Sequence, residues 1–208
     1  MDKLTNKKEE ENEVDNPFIQ EMRNELKQIA LEFKKGKEDS NMNKTEKLCD
    51  MLKLSSTIKI LKTDYIPVEI VPHLYLGSIG CASNLKELQK VKITHILCCG
   101  SGLKNFFPNL FKYYNISILD SDKEDIKKYF ESCHKFINDA IKNNGNVLVH
   151  CFAGSSRSSS ILLSYIMKYQ NMNFDKAFEL VKSKRDKVNP KAGFIKQLKE
   201  YETELNIK

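Results

Sequence analysis

One stretch of the chain combines residue types that can bind an anion and attack it. Residues 147–160 read VLVHCFAGSSRSSS, so a short apolar run ends in His150 and Cys151, and a polar loop with one arginine follows. The backbone amides of residues 152–157 can curl into a nest, and Gly154 supplies the freedom that a tight loop needs. A helix after the loop would add its positive end. The pattern predicts a cup for a tetrahedral anion with a thiol at its floor.

The arginine and the cysteine of this loop complement each other. Arg157 carries a planar guanidinium whose fork matches two oxygens of an oxyanion, which the single ammonium of a lysine does not. The same positive field should favour the thiolate of Cys151 over its thiol. A thiolate below a bound phosphoryl group is a nucleophile in position to attack it. The alternative interpretation is a strand-to-helix turn with a buried structural thiol, the usual role of a single free cysteine.

Strand-like and helix-like segments alternate around this loop. Apolar runs predict a strand pair in VEIVPHLYLGS and single strands in ITHILCCG, KYYNISILD and NVLVHC. Amphipathic segments between and after these runs predict helices. The alternation predicts an α/β fold with a central, mostly parallel sheet flanked by helices. Ligands bind at the carboxyl ends of strands in such sheets, and Cys98, Cys99, Asp120 and Cys151 all end predicted strands.

The first third of the chain differs from the rest in its composition and in the pattern of its apolar residues. Residues 1–15 are charged and nearly without large apolar side chains, so we expect them to be disordered. Residues 16–65 are predicted to form a helical N-terminal extension, whose first helix starts at Asn16 and Pro17. That helix carries an apolar stripe, which must be buried on the chain's own globular part or against a second copy or partner helix. The stripe comprises Ile19, Met22, Leu26, Ile29 and Phe33.

Composition narrows the classes of function. The 208 residues include no apolar run long enough to span a membrane. Residues 66–208 carry a net charge of +7, which favours anionic ligands, but no stripe of arginines and stacking aromatics indicates a nucleic-acid partner. The six cysteines form no C-x-x-C pair, which argues against a zinc site and for a reducing compartment. We therefore expect a protein of the cytoplasm, and of the nucleus as well, that uses no metal or cofactor.

The loop and its surroundings resemble a known family. HCFAGSSRS is similar to the Cys-x5-Arg loop of the cysteine-dependent protein tyrosine phosphatases, above all to that of the dual-specificity subfamily. Further segments resemble the subfamily's landmarks in the same order, namely EIVPHLYLGS, THIL, ILD, NVLVHC, SYIM, KSKRDKVNP and GFIKQLKEYE. The likeness covers residues 66–204. It implies a catalytic domain over residues 66–208 with the protein tyrosine phosphatase-like fold.

The resemblance implies a role for each polar group of the loop. Cys151 matches the residue that attacks phosphorus, and Arg157 matches the residue that binds the phosphoryl group and its transition state. Ser158 matches the hydroxyl that stabilises the thiolate as it leaves the phospho-enzyme. His150 matches a residue that orders the loop and favours the thiolate. The implied phosphate-binding loop comprises Phe152, Ala153, Gly154, Ser155, Ser156 and Arg157.

A general acid is expected on a separate loop. Asp120 lies 31 residues before Cys151, at the position that the resemblance assigns to this acid. It would protonate the departing oxygen and then activate water for the second step. Asp122 and Glu124 are nearby rivals, and Asp125 is better interpreted as a helix N-cap because an apolar helix face follows it.

The implied function is hydrolysis of phosphotyrosine, and of phosphoserine and phosphothreonine, in proteins through a phosphocysteine intermediate. Positions 152–156 hold no lysine or histidine, so the cup is predicted to take a single phosphate on a protein side chain. The expected partners are phosphorylated proteins, kinases among them, with the N-terminal helix available for docking or self-association. The alternatives are a phospho-binding scaffold with negligible turnover, and a lipid or nucleotide phosphatase of the same mechanism.

A further hypothesis concerns Cys98 and Cys99. They end a strand predicted to neighbour the strand of Cys151, so one of their thiols would be placed to trap an oxidised Cys151 as a reversible disulfide. The alternative is that both are core cysteines, which is the more common situation. His95 lies close to them in sequence, but the apolar run around the three residues favours a buried strand over a metal cluster.

Overall fold

Two helices come first in the part of the chain that the computed structural model describes, residues 17–34 and 44–206. Helix α1 spans Pro17–Lys34 and helix α2 spans Lys44–Thr63, and the two pack against each other. Of the predicted apolar stripe on α1, Ile19 and Met22 are buried. These two of the five stripe residues are thus covered by the chain itself. The prediction of disorder for residues 1–15 falls outside the described residues.

The described residues divide after Asp64 into two units, and the second unit holds the sheet. Its strands are β1 (Val68–Val71), β2 (Leu74–Gly77), β3 (Ile93–Cys99), β4 (Lys112–Ile116) and β5 (Asn146–His150). Its helices are α3 (Ile79–Ala82), α4 (Leu85–Lys90), a 3₁₀ turn (Lys127–Tyr129), α5 (Phe130–Lys142), α6 (Arg157–Gln170), α7 (Phe174–Lys184) and α8 (Ala192–Glu204). Every strand and helix predicted for this region is present, and the four-residue α3 is an addition. No helix among the described residues is both long and apolar enough to cross a membrane.

The sheet has the strand order β1-β2-β5-β3-β4. Strand β1 runs antiparallel to β2, and all other neighbours are parallel, which confirms the predicted mostly parallel sheet. Val147 and Val149 of β5 belong to one apolar cluster and Leu148 belongs to the other, so the central strand is buried on both faces. This explains its unbroken apolar sequence. The order also places the carboxyl end of β5 between the ends of β2 and β3.

The prediction that the fourth strand extends to Asp120 is wrong, because β4 ends at Ile116. Beyond this point the backbone leaves the ladder, and the carbonyl of Ile118 accepts hydrogen bonds from Ser101 N (3.3 Å) and from Arg157 Nη1 (3.3 Å). The chain therefore turns toward the arginine of the Cys151 loop before it reaches Asp120. We call residues 117–126 the acid loop.

His134 is a fully buried titratable group in the core of this unit. Its Nε2 lies 2.9 Å from Ser164 Oγ, and its Nδ1 has no hydrogen-bond partner. Burial lowers the pKa of His134 to about 4, with Lys168 adding to the shift and Glu131 opposing it. The rings around it are those of Phe130, Tyr165, Tyr169 and Tyr201.

We expect this histidine to make the fold less stable at mildly acidic pH. The unfolded chain binds the proton near pH 6.5, whereas the folded protein binds it only near pH 4, so stability is full above about 6.5 and falls as the pH drops toward 4. One such group lowers the free energy of unfolding by about 2 kcal/mol between pH 7 and pH 5. His134→Phe should remove this loss, which urea unfolding at the two pH values would measure. The substitution leaves Ser164 Oγ with a hydrogen-bond partner, because this hydroxyl also donates to the carbonyl of Ile161. An equal loss in the variant and the wild type would contradict the assignment.

Candidate active site

The loop after β5 forms the centre of the site. Cys151 directly follows β5, and α6 begins at Arg157. Cys151 is buried, with 2% of its surface exposed. Its Sγ accepts hydrogen bonds from the hydroxyl of Ser158 (3.2 Å) and from the amide of Gly154 (3.2 Å). Two donors thus converge on one sulfur, an arrangement that favours a negatively charged sulfur.

The carbonyls of residues 152–156 in this loop all accept hydrogen bonds. The bonds are Ile79 N to Phe152 O (3.1 Å), Arg185 Nη2 to Ala153 O (3.2 Å), Arg185 Nε to Gly154 O (3.0 Å), Asn189 N to Ser155 O (2.8 Å) and Ser160 N to Ser156 O (2.9 Å). In a trans peptide unit, the carbonyl of one residue and the amide N–H of the next point in opposite directions. Carbonyls turned outward therefore turn the amides of residues 153–157 toward the inside of the loop, which is the geometry of an anion nest.

Gly154 occupies a position that no other residue fits without strain. Its φ is +66°, in the left-handed region. A Cβ at this position would lie 2.4 Å from the carbonyl oxygen of Gly77 and 2.6 Å from Arg185 Nη2. The loop is packed directly against β2 at this point, which explains why a glycine is needed here.

Arg185 is a structural residue of the site that the sequence analysis did not identify. Its side chain is 5% exposed and joins the carbonyls of two consecutive loop residues. The nearby Lys182 donates to the carbonyls of Asp186 (2.6 Å) and Val188 (2.8 Å) and so fixes the turn that carries the arginine. In the sequence, Arg185 lies in the basic run KSKRDK, where a solvated charge is the ordinary interpretation, and the resemblance of KSKRDKVNP to a family landmark implied no role for it.

Arg157 lies between the loop and the acid loop. Its Nη1 donates to the carbonyl of Ile118, and its Nε is buried without a hydrogen-bond partner. Gly100, after β3, leaves room for this side chain, because a Cβ there would lie 2.6 Å from Nη1. The arginine is thus held in place by one nitrogen, while another donor has no protein acceptor.

His150 orders the loop without adding charge to it. It is fully buried, and its Nδ1 lies 3.4 Å from the carbonyl oxygen of Cys151. Burial, aided by the positive charge of Arg157 and opposed by the hydrogen bond to the Cys151 carbonyl, lowers the pKa of His150 to about 4. The imidazole is therefore neutral at pH 7. Any support that it gives to a Cys151 thiolate comes through the position of the loop, not through a positive charge.

The carboxylates of the acid loop differ in their partners. Asp122 Oδ1 accepts a hydrogen bond from Gly193 N (2.8 Å), and Asp125 Oδ1 accepts one from Lys128 N (3.2 Å), although the N-cap of the 3₁₀ turn is Ile126 and not the predicted Asp125. Asp120 is exposed, and within the described part of the chain its carboxylate has no hydrogen bond or ion pair. Two of the four candidates therefore have structural partners, whereas the carboxylates of Asp120 and of the half-buried Glu124 have none within the described residues.

Cys98 and Cys99 lie where the sequence placed them. Strands β3 and β5 are neighbours, with Cys98 paired to His150, and both cysteines are buried. Burial raises the pKa of Cys98 to about 12 and that of Cys99 well above its usual value, and the nearby Cys151 adds to both shifts. Protonated thiols are poor nucleophiles, which favours the core interpretation over the redox trap. Within residues 17–34 and 44–206, no group of His, Cys, Asp and Glu side chains is arranged to hold a metal ion.

The fold and the loop together define a class of protein. A mostly parallel sheet presents a cysteine at the end of its central strand, in a Cys-x5-Arg nest built to surround a tetrahedral oxyanion. Residues 74–204 match the family model described as dual specificity phosphatase, catalytic domain. The chain therefore belongs to the dual-specificity protein phosphatase family.

Individual relatives agree with this assignment. The chain is 40% identical over 157 residues to dual specificity protein phosphatase 1 of Arabidopsis thaliana. This match covers 74% of this chain and 79% of that protein. It is 39% identical over 193 residues to protein phosphatase Slingshot homolog 1 of Mus musculus, and this match covers 91% of the chain, so it extends into the N-terminal helices. The chain spans only 17% of that protein, and 16–20% of two other curated relatives to which it is 46–47% identical.

A solved structure supports the fold. The crystal structure of the human tyrosine phosphatase-like serine/threonine/tyrosine-interacting protein superposes with a TM-score of 0.65 at 39% sequence identity. The match covers 67% of this chain and 97% of that one. The five-stranded sheet flanked by helices is thus the protein tyrosine phosphatase-like fold that the resemblance implied.

Proposed function

We propose that this chain hydrolyses phosphotyrosine, and also phosphoserine and phosphothreonine, in proteins through a phosphocysteine intermediate at Cys151. The observation that carries the proposal is the convergence of Ser158 Oγ and Gly154 N on Cys151 Sγ, each at 3.2 Å, inside a loop whose amides turn inward. Donors in these positions stabilise a sulfur anion, and they also surround the oxygens of a phosphoryl group placed above the sulfur.

In the first step, Cys151 Sγ attacks phosphorus, and the bond from phosphorus to the side-chain oxygen of the substrate breaks. The loop amides and the guanidinium of Arg157 hold the three phosphoryl oxygens, and the unpartnered Nε of Arg157 is a donor available to one of them. Asp120 donates its proton to the departing oxygen. Its freedom from other partners supports this role over Asp122 and Asp125.

In the second step, water attacks the phosphocysteine, and the phosphorus–sulfur bond breaks. Asp120, now a carboxylate, accepts a proton from the water. The hydroxyl of Ser158 donates to the sulfur as it leaves as a thiolate, which the 3.2 Å contact supports. Inorganic phosphate is released, and neither step takes a cofactor or a metal ion.

The proposed substrates are proteins, kinases among them, in the cytoplasm and the nucleus. Support comes from the loop sequence, since residues 152–156 hold no lysine or histidine that would serve further phosphates of a lipid headgroup or nucleotide. The N-terminal helices are proposed to serve docking or self-association. The exposed side chains of Leu31, Leu48 and Leu52 on these helices are compatible with that use.

A second candidate is a phospho-binding scaffold with negligible turnover. One observation favours it, the likeness to a protein named as tyrosine phosphatase-like and as an interacting protein. The same nest would then bind phosphorylated side chains without hydrolysing them. The presence of Cys151, Arg157 and Asp120 together favours the enzyme.

The deciding experiment measures phosphate release by the full chain in the presence of EDTA. Phosphotyrosyl and phosphoseryl peptides are the substrates, and a phosphoinositide and a nucleotide are tested at the same concentrations. We expect release from the phosphotyrosyl peptide at the highest kcat/KM, release from the phosphoseryl peptide, and release from the other two that is at least about tenfold slower. Peptide binding without release would establish the scaffold instead, and faster release from the lipid or the nucleotide would contradict the proposed substrate class.

A further inference from the structure

The start of helix α8 touches both loops of the site. Lys191 N donates to Ser156 Oγ (3.2 Å) in the phosphate-binding loop. Gly193 N, two residues later, donates to Asp122 Oδ1 (2.8 Å) in the acid loop. One short piece of backbone therefore spans the gap between the loop that carries the nucleophile and the loop that carries the acid.

A second contact lies one helical turn further along α8. Gln197 Oε1 accepts hydrogen bonds from Ile126 N (2.8 Å) and Lys127 N (3.1 Å), and its Nε2 donates to the carbonyl of Glu124 (2.8 Å). Residues 193 and 197 lie on the same face of the helix. The acid loop is thus held against this face at its middle and at its end.

The contact at Gly193 is also close. A Cβ at this position would lie 2.1 Å from the backbone oxygen of Asp122 and 2.7 Å from its Cα. The backbone of the acid loop therefore rests directly on the helix, two residues after Asp120. A loop held in this way has little freedom to move relative to α8.

We propose that Asp122, Gly193 and Gln197 are positioning residues that fix the acid loop at the distance from Cys151 at which Asp120 transfers its proton. The inference rests on the proposed role of Asp120. Proton transfer requires an approach of about 2.6–3.2 Å between heavy atoms, and a misplacement of about 1 Å costs roughly a hundredfold in rate. The start of α8 sets this distance because it is bonded to both loops.

The role assigned to Asp122 differs from that of an acid in a way that can be tested. Asp122 acts as a hydrogen-bond acceptor through Oδ1, and the amide oxygen of an asparagine accepts equally well. Asp122→Asn should therefore preserve the contact with Gly193 N, and Asp122→Ala should remove it. If Asp122 were the general acid, neither variant would retain proton transfer.

The experiment compares kcat/KM for phenyl phosphate, which has a poor leaving group, with that for 2,4-dinitrophenyl phosphate, which needs little help from an acid. We expect Asp122→Ala to lose about 10- to 30-fold on phenyl phosphate and less than about threefold on the dinitrophenyl ester. Asp122→Asn should stay within about threefold of wild type on both. Inhibition by inorganic phosphate should be unchanged in both variants, because the anion nest is intact.

Three outcomes would overturn the proposal, and a fourth would overturn the proposed function on which it rests. An equal loss by Asp122→Ala on both esters, or no loss, would show that the contact does not position the acid. A loss by Asp122→Asn as large as that by Asp122→Ala would mean that Asp122 itself carries the proton. Asp120→Asn is the reference, and if it lacks the dependence on the leaving group, the proposed role of Asp120 fails whatever the Asp122 variants do.

Discussion

Replacing Cys151 with serine should lower kcat for aryl phosphates by about 10⁴-fold or more, measured in the presence of EDTA. A serine hydroxyl is a weak nucleophile at neutral pH unless a base takes its proton. The groups around Cys151 Sγ are donors, the hydroxyl of Ser158 and the amide of Gly154. They stabilise a thiolate but do not deprotonate an alcohol.

The variant should keep its fold and its affinity for phosphate, since the loop amides and Arg157 are untouched. Cys49→Ser is the matched control, because Cys49 is an exposed cysteine on α2 and should be replaceable without effect. In the wild type, iodoacetamide should modify Cys151 and abolish activity, and inorganic phosphate should protect it. Turnover by Cys151→Ser within tenfold of wild type would refute the phosphocysteine intermediate.

The grouping of hydrogen-bond donors around Cys151 could be predicted because these residues are neighbours in sequence. Cys151, Gly154, Arg157 and Ser158 lie on a single strand-to-helix turn, so their spacing determines which groups can reach the sulfur. The sheet could be predicted for a similar reason. Its buried strands are short apolar runs separated by amphipathic helices, and this alternation restricts the topology to a few arrangements.

The scaffold around the loop could not be predicted, because its contacts are long-range. Arg185 and Asn189 are more than thirty residues from the carbonyls that they hold, and Gln197 is more than seventy residues from Ile126. In the sequence, an arginine in a lysine-rich run has the pattern of a solvated surface. Only the tertiary structure shows that its guanidinium is turned inward.

The error at the end of β4 has a comparable cause. Ile116 and Ile118 are both buried, so the alternating pattern of a strand continues two residues beyond the ladder. The strand ends because the carbonyl of Ile118 accepts hydrogen bonds from the amide of Ser101 and the guanidinium of Arg157. The periodicity of apolar side chains predicts which residues are buried, but it does not predict which group a backbone carbonyl will bond to. The end of a strand is therefore least predictable where a functional side chain takes a backbone acceptor.

Replacing Gly154 with alanine should lower kcat/KM by about a hundredfold or more and weaken inhibition by inorganic phosphate to a similar degree. The added Cβ would lie 2.4 Å from the backbone oxygen of Gly77, so the loop must move away from β2. That movement displaces the Gly154 amide from Cys151 Sγ and breaks the bonds from Arg185 to the loop carbonyls. Both the nucleophile and the nest lose donors.

Gly102→Ala separates this packing effect from simple backbone strain. Gly102 has a φ of +72°, close to the +66° of Gly154, but a Cβ at this position meets no atom within 4 Å. Both substitutions therefore introduce a backbone strain of about 1 kcal/mol, but only the alanine at position 154 also collides with the sheet. We expect Gly102→Ala to lose some thermal stability and to keep kcat/KM within about threefold of wild type. Equal losses of activity in the two variants would mean that the left-handed backbone, and not the close packing of the loop on β2, is what the site requires.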